Sequence, residues 1–303
     1  MDLLYLIIGL LLLVAGAEIV IKGSVSFGKK LNISLFAIGV VIVAGGTSLP
    51  ELASSINAVI NNHADLAVGA VVGSNIANLI LVMAATAVIL PISNVTKNQI
   101  NQAWINIGLG VALILMSFLY FNYLFGIVSM ILLILIMYLQ FKKGSLDLEE
   151  INKSEYSTIV SIILILIGII FLIYGSELFV NSAISIANYL NISEAVIGLS
   201  IIAFGTSLPE LVVGIMAAIK KKVDFALGNI LGSNIYNVLG VLGISSFFGT
   251  FSIPEIIAKQ DLLFMLLITF MILGFMFFIK KIGRIYGSIG LILYASYMYF
   301  IFI

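Results

Sequence analysis

The chain has 303 residues, of which 62% are hydrophobic and only 9% are charged. A soluble domain is usually about a quarter charged, so this composition indicates a membrane protein. The formal net charge is zero, which offers no basic face to nucleic acid. Cysteine is absent and His63 is the single histidine, which excludes disulfides, a cysteine nucleophile and an ordinary zinc site. A bound metal ion would therefore be held by oxygen, which favours Na⁺ and Ca²⁺.

Ten apolar stretches along the chain are each long enough to cross a bilayer as a helix. In the first half of the chain they cover residues 3–21, 34–60, 66–90, 102–121 and 123–141. In the second half they cover residues 158–180, 195–219, 225–248, 261–279 and 286–303. The first stretch follows Asp2 instead of a basic segment, so we expect a span and not a cleaved signal peptide. The predicted fold is an all-α integral membrane protein with ten transmembrane helices.

The two halves repeat each other at a fixed offset of 159 residues, which relates Gly46 to Gly205. The run Gly46–Leu52 recurs unchanged as Gly205–Leu211, and Gly73–Ile76 recurs as Gly232–Ile235. A repeat of this length in an apolar chain indicates two duplicated halves and not a solenoid. We predict a first repeat, a polar cytoplasmic linker and a second repeat, which cover residues 1–141, 142–156 and 157–303.

The basic residues of the predicted loops fall almost entirely on one side of the membrane. With ten spans, 13 of the 14 lysines and arginines lie on one side, and Lys259 alone lies on the other. By the positive-inside rule the basic side is cytoplasmic, so both termini are predicted to face outward. Because five spans is an odd number, the second half enters the membrane from the opposite side, and the repeats are predicted to be inverted.

Two glutamates, Glu51 and Glu210, lie deep within the second predicted span of each half. A charged group at the centre of a bilayer costs about 3 kcal/mol on insertion scales, so such residues are functional by default. The alternative is a pair of protonated, hydrogen-bonded carboxyl groups that only brace the helix bundle. The matched position in both repeats favours a functional role.

The residues around both glutamates predict irregular helices that are rich in oxygen. Pro50 and Pro209 each remove a backbone N–H and disturb the helix before them. We expect the broken turns to free the carbonyl oxygens of Ala44 and Ala203. Within one turn of the glutamates the sequence adds the hydroxyl groups of Thr47, Ser48, Thr206 and Ser207. A simpler role for some of these hydroxyls is a hydrogen bond to their own helix.

The third predicted span of each half carries a serine and an asparagine four residues apart, on one helix face. They are Ser74 and Asn78 in the first half, and Ser233 and Asn237 in the second. We predict that helices 2, 3, 7 and 8 are broken or irregular around a central all-oxygen site, which suits Ca²⁺ or Na⁺. One Ca²⁺ or two Na⁺ would neutralise two carboxylates, and an empty site should resist crossing the membrane. This charge count predicts obligatory exchange.

Two other pairs of acidic residues match across the repeat but are predicted to have structural roles. Asp65 and Asp224 begin the third span of each half, where we expect them to cap the helix. Glu18 and Glu177 lie near span ends, where we expect interfacial hydrogen bonds.

The two Gly-Thr-Ser-x-Pro-Glu motifs, each followed by Gly-Ser-Asn and a further Asn, resemble the α-repeats of the Ca²⁺/cation antiporter superfamily, especially the prokaryotic Na⁺/Ca²⁺ exchangers. The resemblance covers the whole chain. It implies that Glu51 and Glu210 are shared ligands of Ca²⁺ and Na⁺. It implies flanking Na⁺ sites lined by Thr47, Thr206, Ser48, Ser207, Ser74 and Ser233. It further implies carbonyl ligands and a central ring of amides, from Ala44, Ala203, Asn78 and Asn237.

The resemblance also implies a mechanism and separates the branches of the superfamily. It implies alternating access, in which the first and sixth spans slide past a fixed core. Asn237 stands where K⁺-dependent relatives typically have Asp, which favours K⁺ independence. Proton-coupled relatives usually have a Gly-Asn-Ala-x-Glu motif, which disfavours H⁺ coupling. A glutamate can still take a proton, so exchange of Ca²⁺ or another divalent cation for H⁺ stays as the alternative.

The remaining functional classes are disfavoured. An intramembrane enzyme would need a base for its serine nucleophile, and no histidine or lysine lies within a predicted span. We expect no cofactor and no nucleic acid partner. The expected partners are Na⁺ and Ca²⁺ as substrates and the lipid bilayer of the cell membrane, with the protein acting as a monomer.

Overall fold

The computed structural model describes residues 1–143, 155–190 and 203–301. These residues form an all-α structure with one short antiparallel sheet, in which Ile92–Ser93 pairs with Lys281–Ile282. The helices, in chain order, are α1 (Asp2–Leu31), α2 (Leu35–Thr47), α3 (Leu49–Ile60), α4 (Ala64–Ile89), α5 (Lys97–Met116), α6 (Tyr123–Lys143), α7 (Thr158–Tyr189), α8 (Ala203–Thr206), α9 (Leu208–Ile219), α10 (Val223–Ser245), α11 (Ile257–Ile279) and α12 (Arg284–Ile301).

Seven helices within the described ranges are long and apolar enough to cross a membrane, and they are α1, α4, α5, α6, α7, α10 and α11. The helices α2 and α3 are bent by 42° at their break, and they give an eighth span if the pair counts as one. The prediction of a multi-pass helical membrane protein is therefore confirmed. The predicted seventh span, 195–219, begins at residues outside the described ranges. The count of ten spans stays a prediction, as does the linker, most of which also lies outside them.

Two helix breaks occur where the sequence places a proline. Pro50 and Pro209 lie in the first turns of α3 and α9, where the missing N–H has no helical partner to lose. The residues between the helices, Ser48 and Ser207, have nearly the same backbone angles, φ −83° with ψ 6° and φ −87° with ψ 4°. Each half therefore restarts a helix inside the bundle, with the positive end of the new helix dipole directed at the break.

Three π-helical turns widen the helices around these breaks. They lie within α2, α4 and α10, at Gly39–Val43, Asn78–Val82 and Tyr236–Val241. Such turns leave backbone groups without their usual α-helical partners and are frequent at functional sites. In α2, the hydroxyl of Tyr236 donates to the carbonyl oxygen of Val41 at 2.7 Å, which satisfies one of these groups.

Helices α4 and α10 form the centre of the bundle. In the most apolar 18-residue stretch of each helix, 72% of α4 and 94% of α10 is buried, against 28–39% for the other long spans. The carboxylates predicted to cap these helices do not do so. His63 and Lys222 are the residues that precede the first turns, and Asp65 and Asp224 each lie two positions further along the chain. Because Asp224 lies inside the first turn, its Oδ1 instead accepts a hydrogen bond from Gln99 Nε2 at 2.9 Å.

Helices α1 and α7 pack along a seam of glycines. A Cβ atom added at Gly9 would lie 2.9 Å from the carbonyl oxygen of Gly175, and one added at Gly168 would lie 2.8 Å from that of Gly16. The two contacts are related by the same offset of 159 residues. Contacts this short are possible only between backbones without side chains, so the glycines let the two helices approach closely.

Candidate ion-binding site

Glu51 lies in the first turn of α3 and is fully buried. Its Oε1 accepts a hydrogen bond from Ser74 Oγ of α4 at 3.2 Å. Its Oε2 is buried and has no hydrogen-bond partner among the residues that the structure describes. A buried oxygen left without a partner is costly, so this side chain is suited to bind a cation or a proton.

Glu210 has the same surroundings in the second half. It lies in the first turn of α9 and is also fully buried. Its Oε1 accepts a hydrogen bond from Ser233 Oγ of α10 at 3.4 Å, and within the described ranges its Oε2 has no partner. The two glutamate–serine contacts are separated by 23 residues in each half, so the repeat in sequence is also a repeat in local geometry.

The hydroxyl of Thr47 lies at the contact between the two halves. Its Oγ1 is 3.3 Å from the carbonyl oxygen of Ala44, 3.3 Å from Asn229 Oδ1 and 3.4 Å from Ser233 Oγ. A second contact between the halves is formed by Ser74 Oγ, which lies 3.2 Å from Ser207 Oγ. Hydroxyl groups of the first half therefore reach serines of the second half beside both glutamates.

The predicted free carbonyl of Ala44 is not free. It accepts the N–H of Ser48 at 3.1 Å, which is the ordinary helical hydrogen bond. Pro50 has no N–H to offer the carbonyl four positions earlier, Gly46, which accepts a backbone N–H at the end of α2 instead. The matching carbonyl, Gly205, accepts a hydrogen bond from Ser176 Oγ at 2.8 Å. The Ala44 oxygen keeps one lone pair for another partner.

Four asparagines join α4 to α10. Asn78 Nδ2 donates to Asn234 Oδ1 and Asn237 Nδ2 donates to Asn75 Oδ1, each at 3.0 Å. The Oδ1 atoms of Asn78 and Asn237 are buried, and neither has a partner in the described part of the chain. The amide N–H groups are thus used within the protein, and the two amide oxygens are left as acceptors for a cation.

The structure brings together most of the residues predicted for the site. Hydrogen-bonding contacts join them in two groups. The first is Glu51, Ser74, Ser207 and Asn237, which reach Asn78 through Asn75 and Asn234. The second is Glu210, Ser233, Thr47 and Ala44. Ser48 Oγ is buried without a partner among the described residues. Ala203 and Thr206 belong to α8, which begins at the edge of the described part.

Three asparagines of this region were not predicted. Asn75 and Asn234 belong to the repeated Gly-Ser-Asn-Ile run, so the repeat already contained the signal for them. Asn229 has no counterpart, because the matching position in the first half is Ala70. Within the described ranges, no group of three or more His, Asp or Glu side chains could hold a metal ion. A cation here would depend on two carboxylates and neutral oxygens.

Comparison with known proteins gives a consistent result. The family model described as sodium/calcium exchanger protein matches residues 1–142 and 160–303. The chain is 36% identical to an uncharacterized membrane protein of Methanocaldococcus jannaschii, over 96% of this chain and 94% of that protein. It is 29% identical to a sodium/calcium exchanger of Methanosarcina acetivorans, over 99% and 98%.

Solved structures agree. The sodium–calcium exchanger NCX_Mj soaked with 10 mM Na⁺ and no Ca²⁺ is 34% identical, with a TM-score of 0.87 over 97% of both chains. The same exchanger soaked with 2.5 mM Na⁺ and 0.1 mM Ca²⁺ gives a TM-score of 0.86 at 33% identity, over 97% of this chain and 96% of that one. The resemblance predicted from the two motifs is confirmed. This chain belongs to the sodium/calcium exchanger protein family.

Proposed function

We propose that the protein is a secondary antiporter that exchanges Na⁺ for Ca²⁺ across the cell membrane. One observation carries the proposal. Glu51 and Glu210 are fully buried at matching positions of the two repeats, each with a carboxylate oxygen that lacks a described partner. In a chain of the sodium/calcium exchanger family, this pair is the natural place for the ions to compete.

The proposed ligands extend from the glutamates to the surrounding oxygens. The flanking Na⁺ sites would use the hydroxyl groups of Thr47, Thr206, Ser48, Ser207, Ser74 and Ser233. The carbonyls of Ala44 and Ala203 and the amide oxygens of Asn78 and Asn237 would complete the set. A site of mixed, neutral oxygen ligands with two carboxylates favours Ca²⁺ over Mg²⁺, which keeps its water and demands octahedral geometry.

Charge balance would couple the two ions. Two carboxylates are neutralised by one Ca²⁺ or by two Na⁺, whereas the unneutralised pair is costly to bury. The loaded site can therefore change its accessibility, and the empty site cannot do so easily. Each ion would then cross only when the other returns, which is alternating access with obligatory exchange.

The proposed transport movement uses the predicted architecture of ten spans in two inverted repeats, 1–141 and 157–303, with both termini outside. Helices α1 and α7 would slide as one unit past a fixed core that contains α4 and α10. The glycine seam supports this arrangement, because it holds α1 and α7 backbone to backbone. The asparagine contacts between α4 and α10 support a fixed core. The whole movement needs one chain, so we propose a functional monomer.

A second candidate is exchange of Ca²⁺, or another divalent cation, for H⁺ on the same fold. It is favoured by the same unpartnered carboxylate oxygens, because a buried carboxylate without a cation takes up a proton readily. In that case Glu51 and Glu210 would be proton carriers.

Uptake of radiolabelled Ca²⁺ into proteoliposomes separates the two candidates. Vesicles that contain the purified protein would be loaded with Na⁺ and diluted into choline, at equal pH on both sides. Uptake that requires internal Na⁺ supports Na⁺/Ca²⁺ exchange. Uptake that ignores Na⁺ but follows an acidic interior would replace it with H⁺ coupling. Empty vesicles provide the background.

A further inference from the structure

One asparagine beside the site has no equivalent in the other half of the protein. Asn229 of α10 is fully buried, and its counterpart in α4 is Ala70. Its Oδ1 accepts a hydrogen bond from Thr47 Oγ1 at 3.3 Å, and its Nδ2 has no partner within the described part of the chain. An amide with an unused N–H is unfavourable in a protein core, so its presence needs a reason other than stability.

The reason lies in what the Thr47 hydroxyl must do when it binds a cation. A hydroxyl has one proton and two lone pairs, and a cation is bound by a lone pair. The proton must then point away from the ion, toward an acceptor on the other side. An acceptor that is itself an ion ligand is a poor choice, because the proton would occupy a lone pair that the ion needs.

Three oxygens lie within 3.4 Å of the Thr47 hydroxyl oxygen, and two of them belong to the proposed ligand set. The carbonyl of Ala44 already accepts the Ser48 N–H, so a second proton from Thr47 would use its remaining lone pair. Ser233 Oγ lies near both Thr47 and Glu210. Asn229 Oδ1 is the one acceptor of the three that can take the proton without removing an ion ligand.

We propose that Asn229 is a positioning residue for Na⁺: it holds the Thr47 hydroxyl with its lone pairs toward the flanking Na⁺ site. The inference rests on the proposed function. The side chain of Ala70 cannot accept a hydrogen bond, so it cannot hold the matching hydroxyl, Thr206, in this way. The two flanking Na⁺ sites are therefore unequal, and the site at Thr47 binds Na⁺ more tightly than its counterpart.

The test measures Na⁺ affinity directly on the purified protein in detergent. Wild type, Asn229→Leu and Asn229→Asp would be compared by the Na⁺ concentration that gives half of the maximal rise in thermal stability. Leucine has a similar volume without hydrogen bonding, whereas aspartate keeps the acceptor. We expect Asn229→Leu to raise the half-maximal Na⁺ concentration about fivefold, the equivalent of one hydrogen bond. Asn229→Asp should keep the wild-type value or lower it.

Three readouts distinguish positioning from a general structural role. The melting temperature of Asn229→Leu without Na⁺ should equal or exceed that of wild type, because an unpartnered buried N–H is removed. Its Ca²⁺ affinity in Na⁺-free solution should be unchanged. Thr47→Val should raise the half-maximal Na⁺ concentration, and adding Asn229→Leu to it should cause no further change, since both act through one hydroxyl.

The mirror variant Ala70→Asn tests the idea by gain of function and needs no loss of a native contact. It should lower the half-maximal Na⁺ concentration by supplying Thr206 with an acceptor. An unchanged Na⁺ response in Asn229→Leu, or additive effects of Asn229→Leu and Thr47→Val, would overturn this inference and leave the proposed function intact. A wild type whose stability ignores Na⁺ while it responds to Ca²⁺ would overturn both this inference and Na⁺ coupling.

Discussion

Asn75 and Asn234 hold each other across the two halves of the protein. Each side-chain amide donates to the main-chain carbonyl oxygen of the other, both at 3.4 Å, and the two residues are 159 positions apart. Each also accepts a hydrogen bond from the asparagine that is predicted to bind ions. This reciprocal pair therefore fixes α4 against α10 and sets the direction of the Asn78 and Asn237 side chains.

Removal of one member of this pair should weaken the core. Asn234→Ala leaves the Asn78 amide without its buried acceptor and removes the donor to the Asn75 carbonyl oxygen, so we expect a loss of about 1–3 kcal/mol in stability. The midpoint of thermal unfolding in detergent measures it. Asn61→Ala, at an exposed asparagine, is the control and should leave the midpoint unchanged. Equal midpoints for both variants would contradict the proposed role of the pair.

The glycine seam should be required for transport but not for ion binding. In Gly9→Ala the new Cβ would meet Phe179 N at 2.7 Å and the Gly175 carbonyl oxygen at 2.9 Å, so α1 and α7 must move apart. We expect Na⁺-dependent Ca²⁺ uptake to fall at least about tenfold, a loss of ~1.4 kcal/mol, while Ca²⁺ binding in detergent is kept.

Gly108→Ala is the matched control for the seam. An added Cβ there meets nothing within 4 Å, so uptake should be retained, and the helix gains from the better propensity of alanine. If Gly9→Ala transports as well as Gly108→Ala, the close approach of α1 and α7 has no part in the movement.

An ion pair joins α1, part of the proposed moving unit, to the end of α9. Glu18 of α1 lies 3.2 Å from Lys220, the residue that follows α9, and 3.0 Å from Lys22 on its own helix. The counterpart of Lys220 is Asn61, so Glu177 of α7 has no lysine at the matching position. If the two halves exchange conformations during transport, the Glu18–Lys220 pair stabilises one state and not the other.

Lys220→Gln should therefore shift the resting equilibrium away from the state described by the structure. The pair is partly exposed, so the expected effect is small, about 0.5 kcal/mol or roughly twofold in population. The native chain has no cysteine, so a single Ser26→Cys, buried beside Lys22, can report opening through its rate of thiol labelling. Lys22→Gln breaks only the pair within α1 and should leave the rate unchanged. A faster rate in both variants would indicate local loosening instead.

The sequence alone predicted the central residues because duplication marks them twice. Glu51 and Glu210, with the serines that donate to them, occupy matching positions, and the structure places each pair in the same geometry. The same logic has a limit. Asn229 faces Ala70 at the matching position, so a search for duplicated residues passes over it although it contacts Thr47.

Other predictions were wrong because local sequence rules do not fix the backbone hydrogen bonds or the residue at which a helix begins. Pro50 predicted a broken helix correctly, but the free carbonyl was assigned to Ala44, which keeps its partner Ser48 N–H. Asp224 was predicted to cap the helix because it lies at the start of a predicted span. The helix begins one residue earlier, at Val223, so Asp224 lies inside the first turn and accepts a hydrogen bond from Gln99 instead. The π-helical turns leave no pattern in apolar sequence, because every residue type near them also fits an α-helix.

Competition between Na⁺ and Ca²⁺ for the glutamate pair tests the central claim most directly. Binding of radiolabelled Ca²⁺ to the purified protein would be measured as Na⁺ is added, in wild type, Glu210→Gln and Glu255→Gln. Glutamine keeps the volume and the contact with Ser233, whereas Glu255 is exposed and pairs with Lys259, which lowers the pKa of its carboxyl group. We predict that Na⁺ displaces Ca²⁺ from wild type and Glu255→Gln, and that Glu210→Gln is folded but binds no Ca²⁺. Normal Ca²⁺ binding in folded Glu210→Gln would contradict the account.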